Sequence, residues 1–263
     1  MRFKRPPVVV SIAASDSSGG AGIQADLLTF AAHGVYGATV LTAATAQNSS
    51  SVAAIEPFSA DFLRKQIDAV FSDLAPDAVK IGMLVDRNRV RAVAAGLRRW
   101  KAQNVVLDPV MVATSGRRLL SRAALPTVRR ELLPLCDLVT PNLPEAEALA
   151  GMRIRSEADR RVAAGEIANL GARAVLITNG HGRRGEVRDL LFDGEWFTVF
   201  AAPRLRTRAT HGTGCTLSSA IAANLALGRS LDDAVLSAIA YLRAALARGL
   251  FPGRGWGTPG RNF

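Results

Sequence analysis

Short apolar runs recur along the chain, and stretches patterned as helices separate them. The strand-like runs are Val8–Ala14, Ala38–Ala44, Ala78–Met83, Val105–Asp108, Leu138–Thr140 and Ala174–Thr178. Long helices are expected near Asp61–Phe71, Asn88–Lys101, Glu157–Leu170 and Leu231–Ala247. This alternation points to βα units and a mainly parallel sheet, because a parallel pair needs a long crossover that a helix supplies. Asp189–Phe200 differs: its residues alternate around Asp193-Gly194, the pattern of a β-hairpin. With 263 residues, 49% of them hydrophobic and 21% charged, the chain can bury one sizeable core. It shows no internal repeat, low-complexity tract or dividing linker, so a single α/β domain over residues 1–263 is expected.

The sharpest chemical signal is His211-Gly212-Thr213-Gly214-Cys215, followed by an apolar run from Thr216 to Leu227 that reads as a helix. Two glycines let the backbone turn tightly, and the helix start presents outward N–H groups at the positive end of its dipole. That is a cradle for an anion, phosphate above all. Cys215 falls in the first helical turn, where a thiol pKa is expected to be lowered. An anion cradle beside a base suits phosphoryl transfer to an alcohol, which rests on positioning and charge stabilisation. Taken alone, the same residues also fit an ordinary loop and a small packed cysteine.

A second glycine-rich turn, Ser15 to Gly22, follows the first strand and leads into a helix carrying Asp26 in its early part. It has neither the Gly-Lys-Ser/Thr of a P-loop nor the G-x-G-x-x-G of a dinucleotide fold. Asp26 by position alone also suits the helix dipole. Asp108 ends one strand, and Asn142 with Glu145 stands at the next strand-to-helix junction. Such oxygen donors suit Mg²⁺, which keeps waters and takes one or two carboxylates plus phosphate oxygens. Asn142 and Glu145 also have the spacing of a capping box, with Pro144 in the first turn. The two roles are compatible.

The net charge of +11 raises the question of nucleic acid. The arginines are scattered in pairs such as Arg98-Arg99, Arg129-Arg130 and Arg183-Arg184, with no aromatic-interleaved stripe, the pattern of a solvated surface. Arg2, Lys4 and Arg5 before Val8–Ala14 superficially resemble a signal peptide, but cleavage near Ala14 would remove the first strand. No apolar run approaches the roughly 18 residues of a membrane span. Cys136 and Cys215 have no zinc-site spacing and give no disulfide framework. The expectation is a cytoplasmic protein that binds neither nucleic acid nor membrane.

Together, SDSSGGAGIQADLLTF, TAQN, KIGML, VLDPVM, ATSG, LVTPNLPEAEAL and HGTGCTLSSAIA resemble the hydroxymethylpyrimidine/phosphomethylpyrimidine kinases of thiamine biosynthesis. These belong to the ribokinase-like superfamily, in which some close relatives phosphorylate pyridoxal. The likeness runs from Val8 to the glycine-rich tail near residues 253–257. It implies a three-layer α/β/α fold, a homodimer, and Mg²⁺- and ATP-dependent phosphorylation of 4-amino-5-hydroxymethyl-2-methylpyrimidine and then of its monophosphate. The backbone at Gly212, Thr213, Gly214 and Cys215 would form the anion hole, with Cys215 as base where most of the superfamily carries Asp. Ala14, Asp26, Gln47, Met83 and Val110 would line the pyrimidine pocket, with Asp26 and Gln47 hydrogen-bonding the ring edge. Asp108 and Glu145 would organise Mg²⁺ through water, and Asn142 and Thr178 would face ATP. Val112–Gly116 would form a flap.

Two positions depart from the family pattern. Ala14 stands where relatives commonly carry Gly, and Thr178-Asn179-Gly180-His181 replaces Lys-Gly-Gly-His. A lysine able to neutralise ATP phosphates is thereby missing at 178. His33 reads as structural, and His211 as loop-shaping or ligand-gating rather than as the base. The alternatives are a pyridoxal or pyridoxine kinase of the same fold and a catalytically silent ligand-binding relative.

Overall fold

The computed structural model describes residues 5–179 and 185–261; His181 and the Arg183-Arg184 pair lie outside them. Nine strands form one sheet in the order β3-β2-β1-β4-β5-β6-β7-β8-β9. In chain order these are β1 (Val8–Asp16), β2 (Tyr36–Gln47), β3 (Val52–Pro57), β4 (Ala78–Ile81), β5 (Val105–Leu107), β6 (Leu138–Val139), β7 (Val175–Ile177), β8 (Glu186–Phe192) and β9 (Phe197–Pro203). The six from β2 across to β7 pair in parallel. β3 and the β8–β9 hairpin add antiparallel edges. The helices are α1 (Gly22–Ala32), α2 (Ala60–Leu74), α3 (Arg87–Trp100), α4 (Leu125–Thr127), α5 (Leu143–Ala150), α6 (Glu157–Asn169), α7 (Thr213–Ala226) and α8 (Leu231–Ala247).

Side chains alternate across a strand, and here both faces are apolar. On one face Val10, Ile12, Val79 and Ile81 pack with Leu63 and Ile67 of α2 and Val90 and Val93 of α3. On the other, Val9, Ala78, Val106 and Leu138 pack against Phe30 of α1, Ala220 and Ile221 of α7 and Val235 of α8. Helices therefore cover both faces, giving the ribokinase-like three-layer α/β/α architecture that the sequence led us to expect. α2 starts at the Ser59 cap, whose side chain accepts from the Phe62 amide, and α3 at Asp86, which accepts from Asn88 and Arg89.

Three differences from the sequence reading have local causes. β3 was not anticipated, because Val52–Pro57 is only weakly apolar and gains its strand form by pairing with β2. β1 continues past Ala14 to Asp16 through a register shift between Ala13 and Ser15. This carries the first glycine-rich turn beyond the end of the strand. The hairpin runs further than Asp189–Phe200, but its turn is where Asp193-Gly194 placed it. The Asp193 carboxylate accepts the Glu195 and Trp196 amides there.

Candidate active site

β1 is flanked by β2 on one side and β4 on the other, so the chain changes direction across the sheet at this point. In open α/β sheets the crevice at such a switch, beyond the carboxyl ends of the strands, receives ligands. A cavity of about 1180 Å³ opens there. Ala14, Gln47, Met83, Val110, Asp108, Asn142, Glu145, Thr178, Gly212, Thr213, Gly214 and Cys215 all line it. At one end Ala14, Met83 and Leu119 form a small apolar cluster with Val110 and Ala113 against it. At the other, Thr178 is joined by Asp189, Phe200 and Leu246.

In the sheet β5 lies between β4 and β7, and the start of α7 stands against Asp108 at the end of β5. Gly212 caps α7 in the left-handed region at φ +78°, where a Cβ would stand 2.1 Å from the Gly20 carbonyl oxygen. Only glycine fits that turn. The Gly212 carbonyl is held by the Thr216 amide at 2.9 Å and the Thr216 hydroxyl at 2.8 Å. Among the described residues the amides of Gly212, Gly214 and Cys215 have no hydrogen-bond partner in the protein. A Cβ on Gly214 would lie 3.3 Å from Asp108 Oδ2, so the glycine also admits a close approach to that carboxylate.

Asp26 departs from expectation. It is fully buried, and its carboxylate accepts both contacts of the Lys80 ammonium at 2.9 Å, the Ser11 hydroxyl at 2.5 Å and the Ser219 hydroxyl at 2.7 Å. It faces inward from α1 beneath the cavity, and no oxygen is left for a heterocycle. Its partner Lys80, a residue the sequence reading passed over, borders the cavity floor but is itself fully buried. Burial alone would lower its pKa, but Asp26, Cys215 and Asp108 outweigh that and raise it above the ordinary lysine value.

Cys215 is likewise not the acidic thiol that its helix position suggested. Burial pushes it up to about 11; Lys80 and the Gly22 amide pull the other way, while Asp26 and Asp108 add to the rise. Desolvation therefore outweighs the cationic neighbour and the helix start. Cys136 is buried, donates to the Leu132 carbonyl at 3.2 Å and is also shifted upward, by burial and then by Asp137.

Asn142 and Glu145 form the capping box that their spacing predicts. The Asn142 side chain accepts from the Glu145 amide at 3.0 Å and Glu145 Oε2 from the Asn142 amide at 3.1 Å, a complete capping box. Glu145 Oε1 also accepts from the Met111 amide at 3.2 Å. Burial, then the Asp108 charge, pushes Glu145 up to about 8. Asp108 rises to about 6, chiefly by burial, with Lys80 opposing.

The first glycine-rich turn is organised by Asp16, another residue not singled out. Its carboxylate accepts the Ser18 amide and hydroxyl and the Ala21 amide, each at 2.8 Å. His211 Nε2 lies 2.9 Å from the same carboxylate and 3.3 Å from the Gln47 amide nitrogen. Burial opposes ionisation of Asp16, yet His211 and Ser18 hold it below its usual range. His211 thus ties the two turns together, as a loop-shaping residue does. The Ser-Asp-Ser-Ser-Gly-Gly run carried the signal, since Asp two residues before a backbone donor forms an Asx turn. His33 lies apart, its Nδ1 2.8 Å from the Thr29 carbonyl and its ring edge-on to Tyr241.

Comparison with known proteins agrees with this geometry. The phosphomethylpyrimidine kinase family model matches residues 16–259. The hydroxymethylpyrimidine/phosphomethylpyrimidine kinase of Rhizobium meliloti is 53% identical over 241 residues, 91% of this chain and 90% of the relative. The structure resembles a phosphomethylpyrimidine kinase from Clostridium difficile at 41% identity and TM-score 0.81, covering 90% of this chain and 98% of that one. It also resembles an ADP complex of Bacillus subtilis pyridoxal kinase at 36% identity and TM-score 0.90, covering 97% of each chain. The open amides at the start of α7, the apolar cluster beside them and the buried carboxylates thus sit in a chain that belongs to the phosphomethylpyrimidine kinase family of phosphotransferases.

Proposed function

We propose that this enzyme transfers a phosphoryl group from ATP to 4-amino-5-hydroxymethyl-2-methylpyrimidine and then to the resulting monophosphate, giving the diphosphate used in thiamine biosynthesis. One observation carries the reading: a single cavity is lined by an apolar cluster, by Asn142 and Thr178, and by the unpartnered amides of Gly212, Gly214 and Cys215. The transferred group would rest on those amides, where its charge is stabilised without reorganisation. The apolar pocket at Ala14, Met83 and Val110 would take the pyrimidine, with Gln47 donating to or accepting from its edge. ATP would occupy the lobe at Asn142 and Thr178. Thr178 offers a hydroxyl, so positive charge for the phosphates would come from elsewhere in the lining, where Arg118, Arg206 and Arg243 stand.

Cys215 is proposed as the base for the hydroxymethyl proton, with Lys80 and the Gly22 amide stabilising the thiolate as it forms. Asp108 and Glu145 fit Mg²⁺: two buried carboxylates repel each other, and both are shifted toward the protonated form that a cation would reverse. The Glu145 oxygens already accept two amides, which favours contact through water. When bound, Mg²⁺ would neutralise charge on the phosphates. The turn at Val112–Gly116, closed by the Ala113 amide on Arg117 O and the Gly116 amide on Ala113 O, would cover the mouth. Homodimer assembly and a cytoplasmic location belong to the same proposal; among the described residues no helix is long and apolar enough to cross a membrane.

The test is purified protein with ATP, Mg²⁺ and either the pyrimidine alcohol or pyridoxal, with products read by mass spectrometry. The expected product is the pyrimidine diphosphate. Monophosphate alone after exhaustive incubation, with faster turnover of pyridoxal, would move the assignment to a vitamin B6 kinase. No phosphorylated product from either would leave a silent ligand-binding protein. Size-exclusion chromatography with light scattering tests the dimer.

A further inference from the structure

Behind the anion-binding turn, on the side away from the cavity, lies the guanidinium of Arg261. It follows α8, lies outside the residues matched by the family model, and is only 2% exposed. Its Nε donates to the Thr216 hydroxyl at 2.8 Å, and its Nη2 donates to the Gly20 carbonyl at 2.7 Å and the Gly212 carbonyl at 3.3 Å. The same nitrogen lies 3.5 Å from the His211 carbonyl. One planar cation thus holds both glycine turns at once, a task suited to the rigid, multi-donor fork of arginine. Its own backbone is fixed by the Tyr241 hydroxyl on Arg261 O at 2.8 Å and by the neighbouring Gly260 amide on Ala245 O at 2.9 Å.

The consequence follows from peptide geometry. In a planar trans peptide the carbonyl and the next N–H point in opposite directions. Donation to the His211 carbonyl therefore turns the Gly212 amide away from Arg261, while the Thr213 amide, which follows the Gly212 carbonyl, meets the Thr210 carbonyl at 3.4 Å. The Gly212 amide, which follows the His211 carbonyl, is one of those without a partner among the described residues. The Gly20 carbonyl behaves in the same way: its peptide sends the Ala21 amide to Asp16, which in turn meets His211. The turns are thereby linked on one side by Asp16 and His211 and on the other by Arg261. The space is tight, since a Cβ on Gly212 would lie 2.6 Å from Arg261 Nη2.

We infer that Arg261 is a positioning residue for phosphoryl transfer, a rear clamp that pre-orients the anion hole by turning the Gly212 amide through the His211 carbonyl and by fixing the surrounding turns through the Gly20 and Gly212 carbonyls and the Thr216 hydroxyl. This rests on the anion-hole role proposed above for the Gly212–Cys215 backbone. It places a full positive charge behind that backbone without touching the substrate.

The experiment compares Arg261→Gln, Arg261→Lys and Arg261→Ala with the unaltered protein. Arg261→Gln should lower kcat by about 10²-fold, the order of losing one oxyanion-hole donor, with KM for the pyrimidine alcohol changed by less than about threefold. Arg261→Lys keeps the charge but cannot bridge three acceptors, and should fall between. Arg261→Ala should regain part of its kcat with millimolar ethylguanidinium and none with ethylammonium, the unaltered protein being measured in the same additives. Binding of AMP-PCP by calorimetry reads the clamp without turnover and should weaken in Arg261→Gln. If the unaltered protein transfers no phosphoryl group but the variant still loses AMP-PCP affinity, the functional proposal fails and the clamp stands. Arg261→Gln with kcat within about threefold of normal overturns the clamp. So does a loss of kcat that only follows a fall in melting temperature, with no recovery by ethylguanidinium.

Discussion

Removing the Cys215 thiol separates two accounts of where the substrate proton goes. Burial pushes the thiol up to about 11, so at neutral pH only a small minority of molecules carry the thiolate. Alkylation of Cys215 by iodoacetamide should therefore be slow at neutral pH and should rise about tenfold per pH unit between pH 7 and 9, because the thiolate is the nucleophile. ATP should protect it, and Cys136, buried and shifted upward, should react more slowly still. Turnover is a poorer reporter of this pKa, since Asp108, pushed up to about 6, and Glu145, pushed up to about 8, change charge at lower pH and act on the same reaction. Cys215→Ala should keep the fold and ATP binding while losing about 10²- to 10⁴-fold in kcat, the usual worth of a general base. Cys215→Asp should restore part of that, by resemblance to superfamily members with Asp there. An alkylation midpoint below pH 8 would refute the argument that burial outweighs Lys80 and the helix start. Near-normal turnover by Cys215→Ala would sink the base assignment, leaving the proton to pass directly to the transferred phosphoryl group.

Asp108→Asn and Glu145→Gln should each lower turnover and raise the Mg²⁺ concentration required, measured by titrating Mg²⁺ at saturating ATP. Because burial and then the Asp108 charge push Glu145 up to about 8, apparent Mg²⁺ affinity should climb as pH rises toward 8 and level off above it. Glu145→Gln is not a silent cap replacement: one amide nitrogen must face a backbone donor, Met111 or Asn142, at a cost of about 1–3 kcal/mol. Unchanged Mg²⁺ dependence in that folded variant would leave the capping role alone. Lys80→Met strands a buried carboxylate and should cost about 3–5 kcal/mol in urea unfolding. Adding Asp26→Asn should recover part of it, and two additive losses would rule out the pairing as the cause.

How much of this was legible in the sequence differs between scaffold and site. Strands such as Val105–Leu107 and Val175–Ile177 are buried throughout, so their apolar runs announced them. Helices α2 and α3 alternate buried and exposed residues at helical spacing, which local pattern also records. The region from Arg122 to Leu135 did not announce itself. There, 3₁₀, α and π turns succeed one another around Pro126 and Pro134, and no single period runs long enough to be read. β3 depends on its partner β2, and a pairing preference is a property of two segments rather than one.

The site follows the same division. The glycine turns, the capping box and the strand-end Asp108 are local devices, each complete within a few residues, and the sequence displayed them. Charge pairing is not local. Lys80 sits between Val79 and Ile81 in a strand whose every residue is buried, and from the sequence it is one polar residue in an apolar run. Its role exists only because β4 lies beside β1 and beneath α1 and α7, which bring Ser11, Asp26 and Ser219 to one point. The same packing crowds Cys215, which keeps only partial exposure at the cavity, and reverses the direction of its pKa shift from the one its helix position alone would give. An isolated helix N-terminus in water favours a thiolate, but in a crowded interior the loss of hydration is the larger effect and grows with each neighbour that excludes water. Reading the chemistry of such a residue therefore requires knowing what the fold stacks against it. For Cys215 that is one lysine already claimed by Asp26, with a second carboxylate, Asp108, close enough to act on the thiol.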